Sequence, residues 1–551
     1  MAQAPSLSSA LKKLHQTITL DKKDVSLVYF FAIIGGLISL TLPLGIQTII
    51  NFVMANTLST TIIILIAIVI LGVFLNGFIQ IRQLQVIERM KQKIFSRYTL
   101  EFSYKIPKIN LALMDNYYLP EVVNRYFEIT SLTKSIEKLL VDIPTSIIQI
   151  VLGLILLSFY HPLFIAFGAF VLLVLVIIIR LTSPKGFKTS MLASDYKFAI
   201  GGWLEEIARG SKTFRYSKGS ELHMRKSDYY STSYLDSRTS HFKVLLVQFW
   251  SLISFKITII GIMLIAGTWL LLNQQINVGQ FIASDIVIIL ILGSVEKLIS
   301  SMDTVYDSLT SIEKLSKIVD IETEETGHLP FNKEPGCSIE FKNVSYTYPD
   351  GSIGIKGAQF KVANKSIVAI TGLSGAGKST ILRLLTGAFQ SYEGNILLNS
   401  IPLGNFKLNE LRLNTGIMLN DQDIFRGTIL ENLTMGNENI TLEEITYLSN
   451  LMGLNEYLNS TKKGFDTILD PTGKRLSQQV IQSIKLMRAL LGKPTLLLLE
   501  EPLTHLDSKH KTNLLQYLKN ESNATIMIVT NDEDIIAASN QVLTLVENNI
   551  V

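Results

Sequence analysis

Two long stretches without a charged side chain constrain this chain more than anything else in it. Residues 25–81 contain no Asp, Glu, Lys or Arg, and neither do residues 143–179. A bilayer is crossed by about 20 apolar residues in a helix, so the first stretch has room for two spans and the second for nearly two. A soluble enzyme is thereby excluded. The apolar segments read as six membrane helices, at about 25–49, 59–82, 143–160, 162–182, 247–271 and 279–300. They fall into three pairs with short internal loops, and long polar stretches separate the pairs. Those stretches, residues 82–142 and 180–243, keep helical periodicity with few breakers, which predicts helices running on well past the apolar spans. Pro120 and Gly210 mark the turning points.

Charge placement orients the helices. Lys12, Lys13, Lys22 and Lys23 precede the first apolar run, and the long polar stretches carry many Lys and Arg. The short loops Asn51 to Ser59, Tyr160 to Pro162 and Asn273 to Val278 carry none. By the positive-inside rule the N-terminus and the long stretches face the cytoplasm. The basic residues of 180–243 then belong to cytoplasmic helices, and nucleic acid is not an expected partner. The first apolar run starts late and is too long for a cleavable signal. A single cysteine, Cys337, leaves no intramolecular disulfide and suits a reducing compartment.

Composition changes near residue 320. ETEETGHLPFNKEPG, residues 322–336, reads as a polar linker. Strand-like runs such as SIEFKNVSYTY (338–348) and SIVAIT (366–371) follow, then alternating strands and helices. That alternation predicts an α/β domain. The expected organisation is an N-terminal cytoplasmic segment 1–24, a six-helix membrane domain 25–320, a linker 321–336 and a nucleotide-binding domain 337–551.

GLSGAGKST, residues 372–380, stands directly after the apolar strand Ile367 to Thr371 and satisfies G-x-x-x-x-G-K-[ST]. Such a loop lets successive backbone N–H groups point at phosphates while the following helix presents its positive end. Gly372, Leu373, Ser374, Gly375, Ala376, Gly377, Lys378, Ser379 and Thr380 are therefore candidate nucleotide ligands. Lys378 is expected to reach the β- and γ-phosphates and Ser379 to bind Mg²⁺. Leu496 to Leu499 reads as a buried strand ending in Glu500 and Glu501. Carboxylates there can hold Mg²⁺ and polarise an attacking water.

With six helices in three pairs ahead of this phosphate loop, the chain resembles a half-size ABC exporter, an all-α six-helix membrane exporter domain followed by an α/β P-loop NTPase domain. The membrane half is most similar to the toxin and peptide exporters of type I secretion, above all in LPLGIQTIINFV at 42–53. The resemblance implies ATP and Mg²⁺ as cofactors, a bacterial inner membrane as location, and a homodimer or a heterodimer with a second half-transporter. The secretion type would add a periplasmic adaptor and outer-membrane components. It also implies that Tyr348 stacks on adenine, that Glu501 is the catalytic glutamate, and that Asp507 is the aspartate that communicates across the dimer. The turns around Tyr117 to Arg125 and Glu205 to Tyr216 fall where coupling helices press on the ATPase domain.

Four positions depart from the family pattern. Asn420 stands where a glutamine is expected, with Gln422 nearby and out of register. The signature is LSQQV, Leu476 to Val480, so Ser477 keeps its place while Gln478 replaces glycine where backbone must approach phosphate. Glu500 replaces an aspartate, and Asn531 replaces the switch histidine. Because such domains pair head to tail, neither a homodimer nor a dimer with a fully matching partner restores a complete site. Slow hydrolysis is expected, with ATP binding better preserved than turnover. The alternative is an ATP-responsive subunit that does not hydrolyse and regulates a heteromeric exporter. Lys256 and Asp285 lie within the fifth and sixth apolar helices. They read either as substrate-contacting charges or as a snorkelling lysine and a satisfied bundle contact. His161 reads as a loop residue.

Overall fold

The computed structural model describes residues 6–55, 60–111 and 119–550. The chain divides into two compact units, Met1–Pro107 with Tyr118–Ile321, and Lys108–Tyr117 with Glu322–Val551.

The first unit is helical. Its chain runs through α1 (Leu7–Thr19), α2 (Lys22–Ser39), α3 (Thr41–Met54), α4 (Thr60–Lys105), α5 (Glu128–Glu137), α6 (Ile143–Tyr160), α7 (Leu163–Arg209), α8 (Leu222–Leu272), α9 (Val278–Ser300) and α10 (Met302–Val319). Among the described residues, six segments are long and apolar enough to cross a membrane. The helices do run on past the spans: α8 has 51 residues, about 75 Å at 1.5 Å per residue, against a hydrocarbon core of about 30 Å. Large side chains such as Ile63, Ile70 and Phe74 on α4 are more than half exposed. Apolar exposure on that scale suits lipid and not water.

Several details differ from the expected layout. The first span is two helices, α2 and α3, meeting at Leu40. Pro43 explains the break, because its nitrogen cannot donate to the Ser39 carbonyl and its ring crowds that turn. The N-terminal segment is no tail: α1 belongs to the first unit, with Ala10 and Leu14 buried against its core. Leu7, Ala10, Leu14 and Ile18 form its apolar stripe, and Lys13 pairs with Glu313 at 3.1 Å and Asp320 at 3.2 Å. Gly210 ends α7, and the short helix Ser211–Arg215 follows it directly. At the other expected turn, Leu119–Asn124 is helical, while residues 117 and 118 lie outside the described ones.

Lys256 pairs with Glu296, not with Asp285, which lies exposed on α9. His161 lies in the short loop before α7, where its Nδ1 accepts from the Leu163 amide at 3.1 Å.

The second unit is built on two sheets. Strands β1 (Ile339–Thr347), β2 (Ile353–Val362), β4 (Glu393–Leu398) and β5 (Ile401–Pro402) form an antiparallel sheet in the order β2-β1-β4-β5. The larger sheet has the order β12-β11-β3-β10-β9-β6, from β3 (Ile367–Gly372), β6 (Thr415–Met418), β9 (Leu496–Glu500), β10 (Thr525–Val529), β11 (Gln541–Val546) and β12 (Asn549–Ile550). A hairpin of β7 (Gly427–Thr428) and β8 (Ile468–Leu469) stands apart. Strands β3, β10, β9 and β6 run parallel. Their unbroken apolar runs follow from burial on both faces, and all five residues of β9 and of β10 are buried.

Residues 322–336, expected as a linker, are fastened to this second unit. Arg412 grips Glu324 through two nitrogens at 2.6 and 2.7 Å, Leu329 bridges Phe406, and Phe331 is buried in the core. A polar, proline-containing composition conceals the one buried phenylalanine and the paired carboxylate that hold the segment down.

Candidate nucleotide-binding site

Register places the chemistry. Val529 stands opposite Ile370 on one side and Glu500 on the other, so the C-terminal ends of β3, β10 and β9 lie side by side. The phosphate loop leaves β3, Glu500 and Glu501 leave β9, and Thr530 and Asn531 leave β10. Ligands of open α/β sheets bind outside such strand ends.

The loop turns into α11 (Lys378–Leu385) through glycines in left-handed conformations, Gly375 at φ 82° and Gly377 at φ 89°. At Gly377 the need is double, since a Cβ there would also run into the Gly354 carbonyl. Lys378 Nζ donates to the Gly372 and Leu373 carbonyls at 2.7 and 2.8 Å, which holds the ammonium inside the loop. Ser379 donates its hydroxyl to Glu500 Oε1. The other Glu500 oxygen accepts from the Asn420 amide at 2.9 Å. A hydroxyl beside a carboxylate is the hard-oxygen donor set that Mg²⁺ takes alongside phosphate oxygens, so Ser379 and Glu500 fit that ion.

Glu501 follows at φ 48°, a strained conformation for a residue other than glycine. Its amide donates to Val529 O at 2.8 Å. Burial raises its carboxyl above the usual carboxylate range, with Lys378 opposing and Glu500 reinforcing the shift. A raised pKa makes a stronger base.

The remaining predicted residues are placed less uniformly. Asn531 Oδ1 lies 3.5 Å from the Gly372 amide, at the long limit of a hydrogen bond. The Asn420 side chain is exposed, and the residue acts through its backbone. Gln422 donates to Ile417 O at 3.2 Å and leaves Oε1 buried without a partner. Tyr348 is half-buried beside Tyr346 and Phe389, its hydroxyl 2.9 Å from that of Thr380. Thr380 is itself buried and so serves the core. Ser477 caps α12 (Gln478–Leu490) by accepting from the Val480 amide at 3.3 Å. Asp507 caps α13 (Ser508–Asn520), accepting from the His510 amide at 2.9 Å. That amide, with the His510 ring beside it, holds the Asp507 carboxyl below its ordinary value.

Lys485 is the residue sequence reasoning missed. It projects from α12 to the Asn420 carbonyl at 3.2 Å, and burial lowers its pKa while Asp423, Asp421 and Glu500 pull the other way. It adds a cation beside the segment that carries Asn420. Its signal was available, as a lone lysine on the buried face of an amphipathic helix two turns past the signature.

Comparison with known proteins places this arrangement. Residues 355–504 match the family model described as ABC transporter. An uncharacterized ABC transporter ATP-binding protein of Bacillus subtilis, YknV, is 29% identical over 259 residues, 46% of this chain and 42% of that protein. A Rickettsia typhi protein described as an export ATP-binding/permease protein is 33% identical over 40% of this chain and 38% of its own length. The chain thus spans about two fifths of the length of these relatives. A Rickettsia bellii protein of the same description is 25% identical over 80% of this chain and 77% of its own. The structure of a bacterial Atm1-family ABC exporter with ATP bound superposes with a TM-score of 0.83 at 19% identity, covering 96% of this chain and 94% of that one. The family match assigns residues 355–504 to the ABC transporter family, and the superposition covers nearly the whole chain. Its fold is that of a half-size exporter, with membrane helices and ATP-binding domain on one polypeptide.

Proposed function

We propose that this chain is one half of an ATP-driven exporter, pairing with a second half-transporter and moving a substrate outward across the membrane. The observation that carries the reading is the convergence of Lys378, Ser379, Glu500 and Glu501 at adjacent strand ends, on the same polypeptide as six membrane-length helices. In this reading the loop amides and Lys378 bind the phosphates, Tyr348 lies against the base, and Ser379 with Glu500 holds Mg²⁺. Mg²⁺ held there would offset phosphate charge. Glu501, with its raised pKa, takes the proton of the attacking water or orients it. Each site is completed by Ser477 and Asp507 of the opposing chain. The N-terminus and the ATP-binding domain face the cytoplasm of a bacterium.

Turnover is slow in this proposal, because Gln478, Asn420 and Asn531 replace the residues that approach the γ-phosphate and its water. The same three departures favour a second reading, in which the chain binds ATP without hydrolysing it and regulates a heteromeric exporter. ATP turnover by the purified chain in lipid nanodiscs, beside Lys378→Ala and Glu501→Gln, separates the two. Turnover lost in both variants supports the exporter. ATP binding without turnover, and transport by the assembled complex that is indifferent to Glu501→Gln, supports the regulatory subunit.

A further inference from the structure

Beyond the apolar spans, helices α5, α7, α8 and α10 of the first unit enclose a polar cavity of about 180 Å³. A single water needs only ~10–15 Å³ of such space. Two sets of charges line the walls, and they differ in one respect. The first set is closed: Glu128, buried, accepts from Lys197 Nζ and from the Ser311 hydroxyl. The second set is open. Arg238 and Asp307 both line the cavity and act on each other electrostatically. Among the described residues neither forms a salt bridge within 4 Å. Among the described residues, Asp307 receives one long hydrogen bond, 3.4 Å from Ser190.

An independent observation marks the same space. Ser194, only 7% exposed, is one of the lining residues, and its buried hydroxyl has no hydrogen-bond partner among the described residues. Buried polar groups are nearly always satisfied, so an orphan beside an open charge pair points to a polar molecule that completes all three. A cation and an anion that line one small space without pairing complement a molecule carrying the opposite pair. Arg238 offers a fork suited to a carboxylate, and the Asp307 carboxylate suits an ammonium. Arg238 is exposed, which leaves an entrance from solvent.

We propose that this cavity binds a small zwitterion of the α-amino-acid class. Its carboxylate lies on Arg238, its ammonium on Asp307, and Ser194 makes a third polar contact. The walls are rich in hydroxyls, which selects a short polar side chain over a bulky apolar one. No residue of the cavity belongs to the nucleotide site, so the proposal does not depend on the exporter reading.

The test is equilibrium binding of radiolabelled L-serine to the full chain in lipid nanodiscs. The expected result is saturable binding that unlabelled L-serine displaces and that acetate or ethylammonium, each carrying half of the charge pair, does not. Arg238→Gln and Asp307→Asn should each weaken it about tenfold or more, the loss of one charged contact, while Lys378→Ala leaves it unchanged. Retained ATP binding by the two cavity variants establishes that they are folded. Absence of saturable binding up to about 10 mM, a range that already includes very weak ligands, overturns the proposal and leaves the cavity to water. So does serine binding that neither variant weakens.

Discussion

Replacing Thr525 by valine removes one oxygen and little else. That oxygen, at the start of β10, accepts from the Cys337 and Lys365 amides, each at 2.9 Å, and donates to the Cys337 carbonyl at 2.6 Å. Thr525 and Cys337 are both fully buried. Valine therefore strands the Cys337 N–H and C=O where water does not reach, whereas Lys365 is an exposed residue whose amide lies nearer solvent. At ~1–3 kcal/mol for each orphaned group, and less for the methyl that valine packs, the loss is about 3 kcal/mol. Thr525→Ser keeps the hydroxyl and deletes a buried methyl, a loss of about 1 kcal/mol.

Cys337 supplies the assay. It is the chain's one cysteine, and burial pushes its thiol up to about 12. A thiol reagent therefore reaches only molecules in which this region has opened. Where opening and closing outpace labelling, the rate follows the opening equilibrium, tenfold for each ~1.4 kcal/mol. Labelling is expected to quicken about 100-fold in Thr525→Val and about 5-fold in Thr525→Ser. A serine variant labelled as fast as the valine one would refute the reasoning, since the methyl and not the hydroxyl would then secure the strand.

Other substitutions probe the site and its surroundings. Lys378→Ala should weaken ATP binding about 10- to 100-fold, the loss of a charged hydrogen-bonding partner, read by fluorescent-nucleotide titration. Because burial holds Glu501 above the usual carboxylate range, turnover should fall as pH drops through that raised value, and Glu501→Gln should abolish both the turnover and its acid limb. Gln478→Gly should raise turnover if the side chain obstructs phosphate approach; an unchanged rate would place the limit elsewhere. Arg412→Ala removes the two-nitrogen grip on Glu324, ~2 kcal/mol for hydrogen bonds to a charged group, and should speed tryptic cleavage at Lys333.

Much of the architecture was legible in the sequence, for identifiable reasons. Charge-free runs and the order of strand, glycine loop and helix are local signals, and each survives folding unchanged. What was not legible depends on pairings between distant residues. Nothing near Glu324 announces Arg412, and nothing near Lys256 indicates that Glu296, not Asp285, is its partner. Lys485 escaped notice because its acceptor is a backbone carbonyl, which carries no residue identity. Thr380 and Tyr348 illustrate a further limit. Motif position nominates both for nucleotide, yet the fold ties their hydroxyls to each other, which leaves only the tyrosine ring for a base.

The buried leucines of β9 and the residues that follow them divide the labour between persistence and performance. Leu496–Leu499 hold their register through neighbours on both sides, whereas Glu501 and Asn531 sit on the segments that emerge from that scaffold and Gln478 opens α12. In the proposed function, exchanging a side chain at those positions alters reaction speed while the sheet stays intact. A chain built this way can drift from fast motor to slow one, or to a mere sensor of ATP, without passing through an unfolded ancestor.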